Sequence, residues 1–335
     1  MLHRNYSLKQ YNTFGLNATA NYFFEYEAVH ELVDFLAETD LKSHQVFFLG
    51  GGSNVLFTGN FTGLILYSGI AGKEIVYEDH DYAYVRVGAG EDWDSFVQWC
   101  VENEYGGVEN LSLIPGHVGA APVQNIGAYG VEAKDVIDVV EAVNFETGKI
   151  CKFLNSECEF GYRDSIFKNA FKNKYIVTRV TFKLSKKPVF VLNYGNVSNY
   201  LHDKYGDPTL ENIRKTIIAI RESKLPDPSR TGNAGSFFKN PVVTDDVFKM
   251  LKEQNPDIPS YEVDGGFKIP AAWLIDQCNL KGYTSGGAKV HDKQPLVIVN
   301  TGDATAADIL ALSDHVRKKV EDNFGIILHP EVIFI

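Results

Sequence analysis

The 335-residue sequence predicts a mixed α+β (α/β) protein, and three observations support this fold class. Segments with apolar residues at helical spacing alternate with short strand-like segments. Glycines follow strand-like segments, as Gly50 follows residues 45–49. The length and the hydrophobic share of 44% are enough for two or three domains, each with its own core.

The order of elements follows from local patterns. Apolar spacing predicts helices at 27–39, 92–105, 271–278 and 304–324. Asp92 or Asp94 is expected to cap the second of these helices. Another helix is predicted to have Asp207 as its cap and Pro208 as its first residue, and to end at Pro226. Strands are predicted at 45–50, 63–68, 75–77 and 82–87, within 136–184, at 296–300, and as a terminal pair in 325–335.

Composition and charge exclude several classes of protein. The net charge of −11, from 43 acidic and 32 basic residues, argues against a nucleic-acid partner, because phosphate binding favours a basic face. The sequence contains no signal-like leader and no apolar run of 18 residues, so we expect a cytoplasmic protein with no membrane partner. Its four cysteines show no CxxC pair, so reduced thiols are expected. The nine histidines show no ligand spacing, and no metal site is predicted.

Two glycine-rich segments are candidates for cofactor binding. Residues 50–54 read GGGSN directly after a predicted strand, and both a tight turn and a phosphate cradle remain open for them. They match neither GxGxxG nor the P-loop. Residues 114–130 read IPGHVGAAPVQNIGAYG, a run of small residues that fits either a cofactor loop or a buried packing loop. Together the two segments suggest a diphosphate cofactor held outside the Rossmann pattern.

Five further residues carry reactive or charged side chains in distinctive contexts. Ser236 lies in GNAGSFFKNP and offers a positioned hydroxyl, although the nucleophile-elbow pattern GxSxG is absent. Arg221 and Lys224 share one face of a helix end, where they serve either the helix dipole or an anion. For Arg163, in YRDS, the default interpretation is a surface ion pair. Glu331, at the head of an apolar terminal strand, is either exposed or buried with a partner.

Several long motifs follow one another in an order that resembles the UDP-N-acetylenolpyruvoylglucosamine reductases. They are LGGGSNVL, IPGHVGAAPVQNIGAYG, YRDSIFK, KLPDP with GNAGSFFKNP, AAWLIDQ, GGAKVH and HPEV, which span positions 49 to 334, and NTFG at 12–15 is similar to the family's opening. Motifs in this order are more specific than any one of them. The resemblance covers nearly the whole chain.

The resemblance implies a fold and a set of ligands. An FAD-binding fold of the vanillyl-alcohol-oxidase (PCMH) type in two subdomains would precede an α/β substrate-binding domain. The boundaries are expected at 1–70 (joined by the strand 326–335), 71–210 and 211–325. FAD would be bound tightly but not covalently, and NADPH would be the co-substrate. UDP-N-acetylglucosamine enolpyruvate would be reduced to UDP-N-acetylmuramate for peptidoglycan synthesis. The protein is expected to be monomeric.

The resemblance also implies roles for individual residues. Hydride from flavin N5 would reach the enol-ether carbon, Ser236 would supply the proton, and Arg163 and Glu331 would stabilise the enolate. The residues expected to bind FAD are Gly50, Gly51, Gly52, Ser53, Asn54, Gly116, Gly119, Gln124, Asn125 and Gly127. The residues expected to bind substrate are Tyr194, Arg221, Lys224, Asn240 and Gln294. The segment near 188–200 resembles the type I form, in which a tyrosine-bearing loop closes over the nucleotide.

Two departures and two alternatives accompany this interpretation. His117 stands in the flavin loop where the family often has an aliphatic residue, and Ile333 stands where a basic residue is frequent. An oxidase of the same FAD fold would have a different C-terminal half, and it often bonds flavin through a histidine, for which His117 is the candidate. A non-catalytic nucleotide-sugar binding protein would be expected to lose Ser236 or Glu331, and this sequence retains both.

Overall fold

The structure, a computed structural model, describes residues 1–41 and 44–335. Its helices are α1 Val29–Glu38, α2 Trp93–Glu102, α3 Ala121–Gln124, α4 Val197–Lys204, α5 Leu210–Lys224, α6 Asp245–Gln254, α7 Ala271–Gln277 and α8 Ala306–Phe324. Its strands are β1 Leu2–Ser7, β2 Thr19–Tyr26, β3 Val46–Leu49, β4 Val55–Leu56, β5 Phe61–Ser68, β6 Lys73–Glu78, β7 Tyr82–Gly88, β8 Gly127–Ala128, β9 Val131–Glu132, β10 Ile137–Asn144, β11 Ile150–Leu154, β12 Tyr175–Ser185, β13 Asn233–Ser236, β14 Val242–Val243, β15 Tyr261–Val263, β16 Gly266–Lys268, β17 Thr284–Ser285, β18 Ala288–Val290, β19 Val297–Asn300 and β20 Ile333–Phe334.

The described chain divides into two compact units. The first comprises residues 1–6, 20–51 and 62–223, and the second comprises residues 7–19, 52–61 and 224–335. Each unit therefore draws on separated parts of the chain. The three domains expected from the sequence, with their boundaries, are not tested by this division and stay a prediction.

The first unit has one of its cores between a five-stranded sheet and α2. The strands run in the order β11-β10-β12-β7-β6, and each pairs antiparallel with its neighbours. Helix α2 buries Trp93, Phe96, Val97 and Cys100 in this core. The ring centroid of Phe96 lies 4.7 Å from that of Phe182 on β12. Aromatic burial of this kind contributes more than area alone.

A second sheet of the first unit places the first glycine-rich segment. Its strands run in the order β1-β2-β5-β3, with β3 and β5 parallel. Helix α1 packs on this sheet, and the Phe35 ring stacks on Phe24 at a centroid distance of 3.9 Å. Strand β3 ends at Leu49, so Gly50 and Gly51 begin at the carboxyl end of a parallel strand. The predicted helix and strands in this part of the sequence are confirmed.

Two expectations for residues 185–226 need correction. The structure has helix α4, which the sequence analysis did not predict, and α5 begins at Leu210 rather than at Pro208. The Thr209 hydroxyl oxygen accepts a hydrogen bond from the Asn212 N–H at 3.1 Å, so Thr209 performs the capping expected of Asp207.

Packing between α4 and α5 explains why α4 forms. The predicted apolar stripe of α5 is confirmed, and it contacts the buried α4 residues Val197 and Leu201. Helix α4 has eight residues, too few for stability on propensity alone, so its formation depends on this tertiary contact.

The second unit has its core around α7, α8 and a four-stranded sheet. The strands run in the order β13-β19-β18-β17 and pair antiparallel. Helix α8 begins with a capping box between Thr305 and Asp308 and ends at Gly325, which adopts a left-handed conformation. Both helices bury apolar side chains in one cluster, which includes Leu274, Ile275, Leu312 and Val316.

The predicted terminal strand pair is wrong. Within the C-terminal tail only Ile333–Phe334 forms a strand, and this strand pairs in parallel with Val55–Leu56. Pro330 forms an isolated bridge with Phe238. Local alternation could not reveal these partners, because each lies far away in the sequence. The tail therefore joins two distant segments of the second unit.

We predict that Asp92→Ala will lower the free energy of unfolding by about 1 kcal/mol, the typical contribution of an N-cap. The Asp92 carboxylate accepts a hydrogen bond from the Ser95 N–H at 2.8 Å, which confirms Asp92 as the cap of α2. Urea denaturation measures the change. The matched control is Asp34→Ala on the exposed face of α1, which we expect to change stability by less than about 0.5 kcal/mol. Equal effects of the two substitutions would contradict the cap.

Candidate active site

Gly51 and Gly116, which lie in the two glycine-rich segments, approach each other backbone to backbone within the first unit. A Cβ atom built on Gly51 would lie 2.7 Å from the Gly116 Cα and 3.1 Å from the His117 Cδ2. A Cβ atom built on Gly119 would likewise lie 2.7 Å from the Ala89 Cβ. A side chain at these glycines would displace the neighbouring backbone. The loops therefore form a cradle without side chains, which fits a diphosphate-bearing group such as FAD.

Backbone hydrogen bonds hold the second of these loops in place. The N–H groups of Val118 and Gly119 donate to the carbonyls of Glu91 and Ala89, both at 2.9 Å. The Trp93 N–H donates to the Gly116 carbonyl at 2.9 Å. These bonds fix the loop to the start of α2, so its shape is set before any ligand binds.

Asn125 lies inside the loop and orders it. This residue is fully buried and has a left-handed backbone with φ +41°. Its Nδ2 donates to the Gly161 carbonyl at 2.7 Å and to Glu132 Oε2 at 3.1 Å, while its Oδ1 accepts from the Lys134 N–H at 3.1 Å. The amide therefore binds the protein's own groups, and its assignment to FAD binding stays a prediction.

Arg163 is held against the same loop. Its guanidinium donates from NH2 to the Gly127 carbonyl at 2.7 Å. The backbone of Arg163 is left-handed with φ +54°, which is costly for a residue with a side chain. The Lys168 ammonium bridges the two segments, donating to the Arg163 carbonyl at 2.8 Å and to Gln124 Oε1 at 3.0 Å. Arg163 is thus placed at the glycine-rich loop rather than in an isolated surface ion pair.

His117 lies at the contact between the two loops. Its Nε2 is 3.4 Å from the Tyr67 hydroxyl, and the two rings meet edge to face. Burial lowers the pKa of His117, so the neutral ring is favoured near pH 7. The position that departs from the family's usual aliphatic residue therefore holds a partly buried imidazole whose neutral form is favoured near pH 7.

A second group in the first unit contains Arg221, Tyr129 and Tyr194. Burial lowers the pKa of Arg221, and a hydrogen bond with Tyr129 opposes that shift. Among the described residues, Arg221 Nε is buried without a hydrogen-bond partner. The rings of Tyr129 and Tyr194 meet edge to face at 6.3 Å, and Tyr194 is half exposed. A buried guanidinium with an unused donor favours the anion-binding interpretation of Arg221 over a dipole effect.

Asp94 and Arg214 form a two-bond ion pair that joins α2 to α5. The Arg214 nitrogens donate to the two carboxylate oxygens of Asp94 at 2.7 and 2.9 Å. Burial alone would raise the pKa of Asp94, but these bonds and one from the Leu113 N–H hold it below its usual value. Asp94 therefore remains ionised and compensates the charge of α5 at its buried face.

The second unit brings Ser236, Glu331 and Asn54 to neighbouring backbone segments. Ser236 ends β13 and pairs with Val297 on β19. The next residue, Phe237, accepts a hydrogen bond at its carbonyl from the Glu331 N–H at 2.8 Å. Asn54 Nδ2 donates to the Glu331 carbonyl at 3.2 Å. Ser236 and Glu331 are both partly buried, so the backbone holds the two predicted catalytic residues at fixed positions.

Other predicted residues of the second unit have different local environments. Gly52 accepts no side chain, since a Cβ would lie 2.0 Å from the Tyr11 carbonyl oxygen, and the adjacent Ser53 is partly buried. Asn240 Oδ1 accepts from the Ala271 N–H at 2.9 Å, at the start of α7. Gln294 Oε1 is buried without a partner among the described residues. Lys224, the last residue of α5, is exposed.

The structure thus groups the predicted residues within each unit. In the first unit, one group is formed by Gly50, Gly51, Gly116, Gly119, Gln124, Asn125, Gly127 and Arg163, and Tyr194 lies with Arg221 in another. In the second unit, Asn54, Ser236 and Glu331 form a group. Sequence reasoning missed Lys168 and Tyr129, although both lie inside quoted motifs, because their roles depend on contacts between distant residues. The roles of all these residues toward ligands stay predictions.

The described residues contain neither a metal-binding cluster nor a membrane-spanning helix. Within residues 1–41 and 44–335, no group of three or more His, Cys, Asp or Glu side chains is arranged to hold a metal ion. None of the helices in this part of the chain is long and apolar enough to cross a membrane. The four cysteines are free thiols, and two of them, Cys100 and Cys158, are buried.

Comparison with known proteins confirms the predicted fold class and the resemblance to the reductases. Residues 20–154 match the family model of an FAD binding domain, and residues 227–335 match the UDP-N-acetylenolpyruvoylglucosamine reductase C-terminal domain. The crystal structure of MurB from Thermus caldophilus aligns with a TM-score of 0.70 at 23% identity, covering 100% of this chain and 98% of that one, which supports the fold.

Full-length relatives extend the similarity to the whole chain. The UDP-N-acetylenolpyruvoylglucosamine reductase of Bacteroides fragilis is 51% identical over 335 residues, and the alignment covers 100% of both chains. The reductase of Flavobacterium johnsoniae is 46% identical over 331 residues, 98% of each chain. Similarity at this level, over both the FAD-binding and the C-terminal regions, establishes that the chain belongs to the UDP-N-acetylenolpyruvoylglucosamine reductase family.

Proposed function

We propose that this chain is an NADPH-dependent flavoenzyme that reduces UDP-N-acetylglucosamine enolpyruvate to UDP-N-acetylmuramate. The geometric observation that supports the proposal is the side-chain-free cradle of Gly51 and Gly116, in a chain of this reductase family. The protein would act as a monomer in the cytoplasm and would hold FAD tightly without a covalent bond. When bound, FAD supplies the two-electron chemistry that links oxidation of NADPH to reduction of the enol ether.

Arg163 would stabilise the negative charge that develops on the substrate. Reduction at the terminal enol-ether carbon leaves carbanion character on the carbon that bears the carboxylate. A guanidinium whose position is already fixed by the Gly127 carbonyl needs little reorganisation to stabilise such charge. Glu331, if protonated, would add a hydrogen bond to the same group.

Ser236 would then transfer its hydroxyl proton to that carbon. A serine hydroxyl is a weak acid, so its competence depends on fixed geometry and on a group that returns the proton. The strand pairing of Ser236 with Val297 supplies the fixed geometry. The anionic and nucleotide portions of the substrate would be bound by Arg221, Lys224, Asn240, Gln294 and Tyr194. Of these, Arg221 and Gln294 each have a buried polar atom without a partner among the described residues.

We predict that the purified protein will show a flavin absorbance band at about 450 nm, as expected of an enzyme that uses a flavin for redox chemistry. Anaerobic NADPH should bleach the band, and UDP-N-acetylglucosamine enolpyruvate should restore it. Flavin should separate from the protein on denaturation, which would exclude a covalent bond to His117. Bleaching without recovery would contradict the substrate and favour an oxidase of the same fold. A protein that cannot be reconstituted with FAD would contradict the proposal altogether.

Ser236→Ala should separate the two half-reactions. We expect bleaching of the flavin by NADPH to remain nearly unchanged, because Ser236 has no role in that step. Its recovery with substrate should slow by about 10²- to 10⁴-fold, the usual contribution of a positioned acid. Anaerobic stopped-flow absorbance measures both rates. Ser285→Ala on β17 is the matched control and should alter neither. Equal loss in both half-reactions would show that Ser236 is structural.

Gly51→Ala should weaken FAD binding by roughly 10- to 100-fold, because its Cβ would overpack against Gly116. Fluorescence titration of the flavin-free protein with FAD measures the dissociation constant. Gly59→Ala is the matched control, since a Cβ at Gly59 would meet nothing within 4 Å. Wild-type affinity in the Gly51→Ala protein would show that the cradle does not hold the cofactor.

A further inference from the structure

Asn110 is a buried residue to which neither the motifs nor the proposed chemistry gives a role. Only 1% of its surface is exposed. Its Nδ2 donates two hydrogen bonds to backbone carbonyls, that of Tyr129 at 2.9 Å and that of Val191 at 2.8 Å. A carboxamide has two N–H donors, and both are used here. The acceptors lie 19 and 81 residues away in the sequence, so the side chain joins two separate segments of the first unit.

One of these segments, residues 188–195, carries Tyr194 and lies outside the helices and strands. Val189 is 92% exposed and Tyr194 is 50% exposed, whereas Val191 is partly buried. Helix α4 begins at Val197 and is packed on α5. Phe190 and Leu192 pack against the α4–α5 core, and the bond from Asn110 adds a polar anchor at Val191 between them.

The other segment is the turn at Tyr129 and Gly130. Tyr129 has a left-handed backbone with φ +50°, and Gly130 follows at φ +84°. Such a backbone persists only where surrounding groups hold it, and the Asn110 amide binds the Tyr129 carbonyl at this turn. A Cβ on Gly130 would lie 3.1 Å from Val191 Cγ1 and 3.4 Å from the Tyr194 Cβ. The two segments are thus in direct contact beside the Asn110 amide.

We infer that Asn110 is a positioning residue that anchors the 188–195 segment and thereby orients Tyr194 toward the nucleoside diphosphate portion of the substrate. The inference rests on the proposed function for the identity of that ligand. Asn110 touches no reacting atom in this role. It acts by holding the Val191 and Tyr129 carbonyls, so that Tyr194 keeps its edge-to-face contact with Tyr129.

The test uses Asn110→Leu in the flavin-loaded enzyme. Leucine has a similar volume and lacks both N–H donors. No hydrogen bond is lost at Oδ1, because Oδ1 has no partner among the described residues. We expect KM for UDP-N-acetylglucosamine enolpyruvate to rise roughly 30-fold, the change that corresponds to two net hydrogen bonds of typical strength. We expect kcat to change by less than about threefold, because the reacting groups are untouched. Amide hydrogen exchange, measured by mass spectrometry without substrate, should become faster in residues 188–196.

Asn155→Leu is the matched control. Asn155 Nδ2 also donates to two backbone carbonyls of the first unit, those of Lys134 at 2.8 Å and Ile137 at 2.7 Å. Its substitution should lower stability while leaving KM and exchange in residues 188–196 at wild-type values. Gly130→Ala gives a second variant, which should raise KM and accelerate exchange in the same segment while Asn110 is intact. Bleaching of the flavin by NADPH should match wild type in Asn110→Leu and Asn155→Leu.

Two outcomes would overturn the inference. The first is wild-type KM and wild-type exchange in residues 188–196 of Asn110→Leu, and the second is equal changes in Asn110→Leu and Asn155→Leu. Failure of the wild-type enzyme to turn over the substrate would instead overturn the proposed function. The exchange measurement needs no substrate, so it decides the anchoring role in either case.

Discussion

The first unit depends on one steric constraint, which is the absence of room for a side chain where its two glycine-rich loops meet. Gly51 and Gly116 approach so closely that a single Cβ would displace the backbone. The remaining contacts of the loop follow from this approach. His117 packs beside Gly51, Asn125 ties the loop to the Gly161 turn, and Arg163 reaches the Gly127 carbonyl. The cradle and the Arg163 guanidinium are therefore linked through the same loop.

The local placement of charged side chains, and not the net charge of the chain, determines which ligands can bind. The chain carries a net charge of −11, yet its predicted ligands are anions. The first unit resolves this by burying cations with fixed partners. Arg214 is paired with Asp94, and Arg221 keeps an unused donor beside Tyr129. A few oriented donors in a low-dielectric environment outweigh a distant surface charge that salt screens.

The second unit holds its reactive side chains with backbone pairing. Ser236 ends a strand, and the Glu331 N–H is bonded to the neighbouring Phe237 carbonyl. The C-terminal strand pairs with Val55–Leu56 just beyond Asn54, which itself bonds to the Glu331 carbonyl. Such pairing limits the positions open to both side chains. A weak acid such as serine depends on this precision more than a strong acid would.

The sequence by itself determined the elements whose signal is local. Apolar spacing predicted α1, α2, α7 and α8, and strand-like runs predicted β3, β5, β6, β7, β19 and the strands within 136–184, because side-chain periodicity reports which face is buried. Family motifs predicted the FAD-binding and C-terminal regions. Only the tertiary structure decided the helix α4, the partner of the terminal strand and the contacts of Asn110 and Lys168. Each of these depends on residues brought together by folding, up to 278 positions apart for the terminal strand, and no local pattern encodes such contacts.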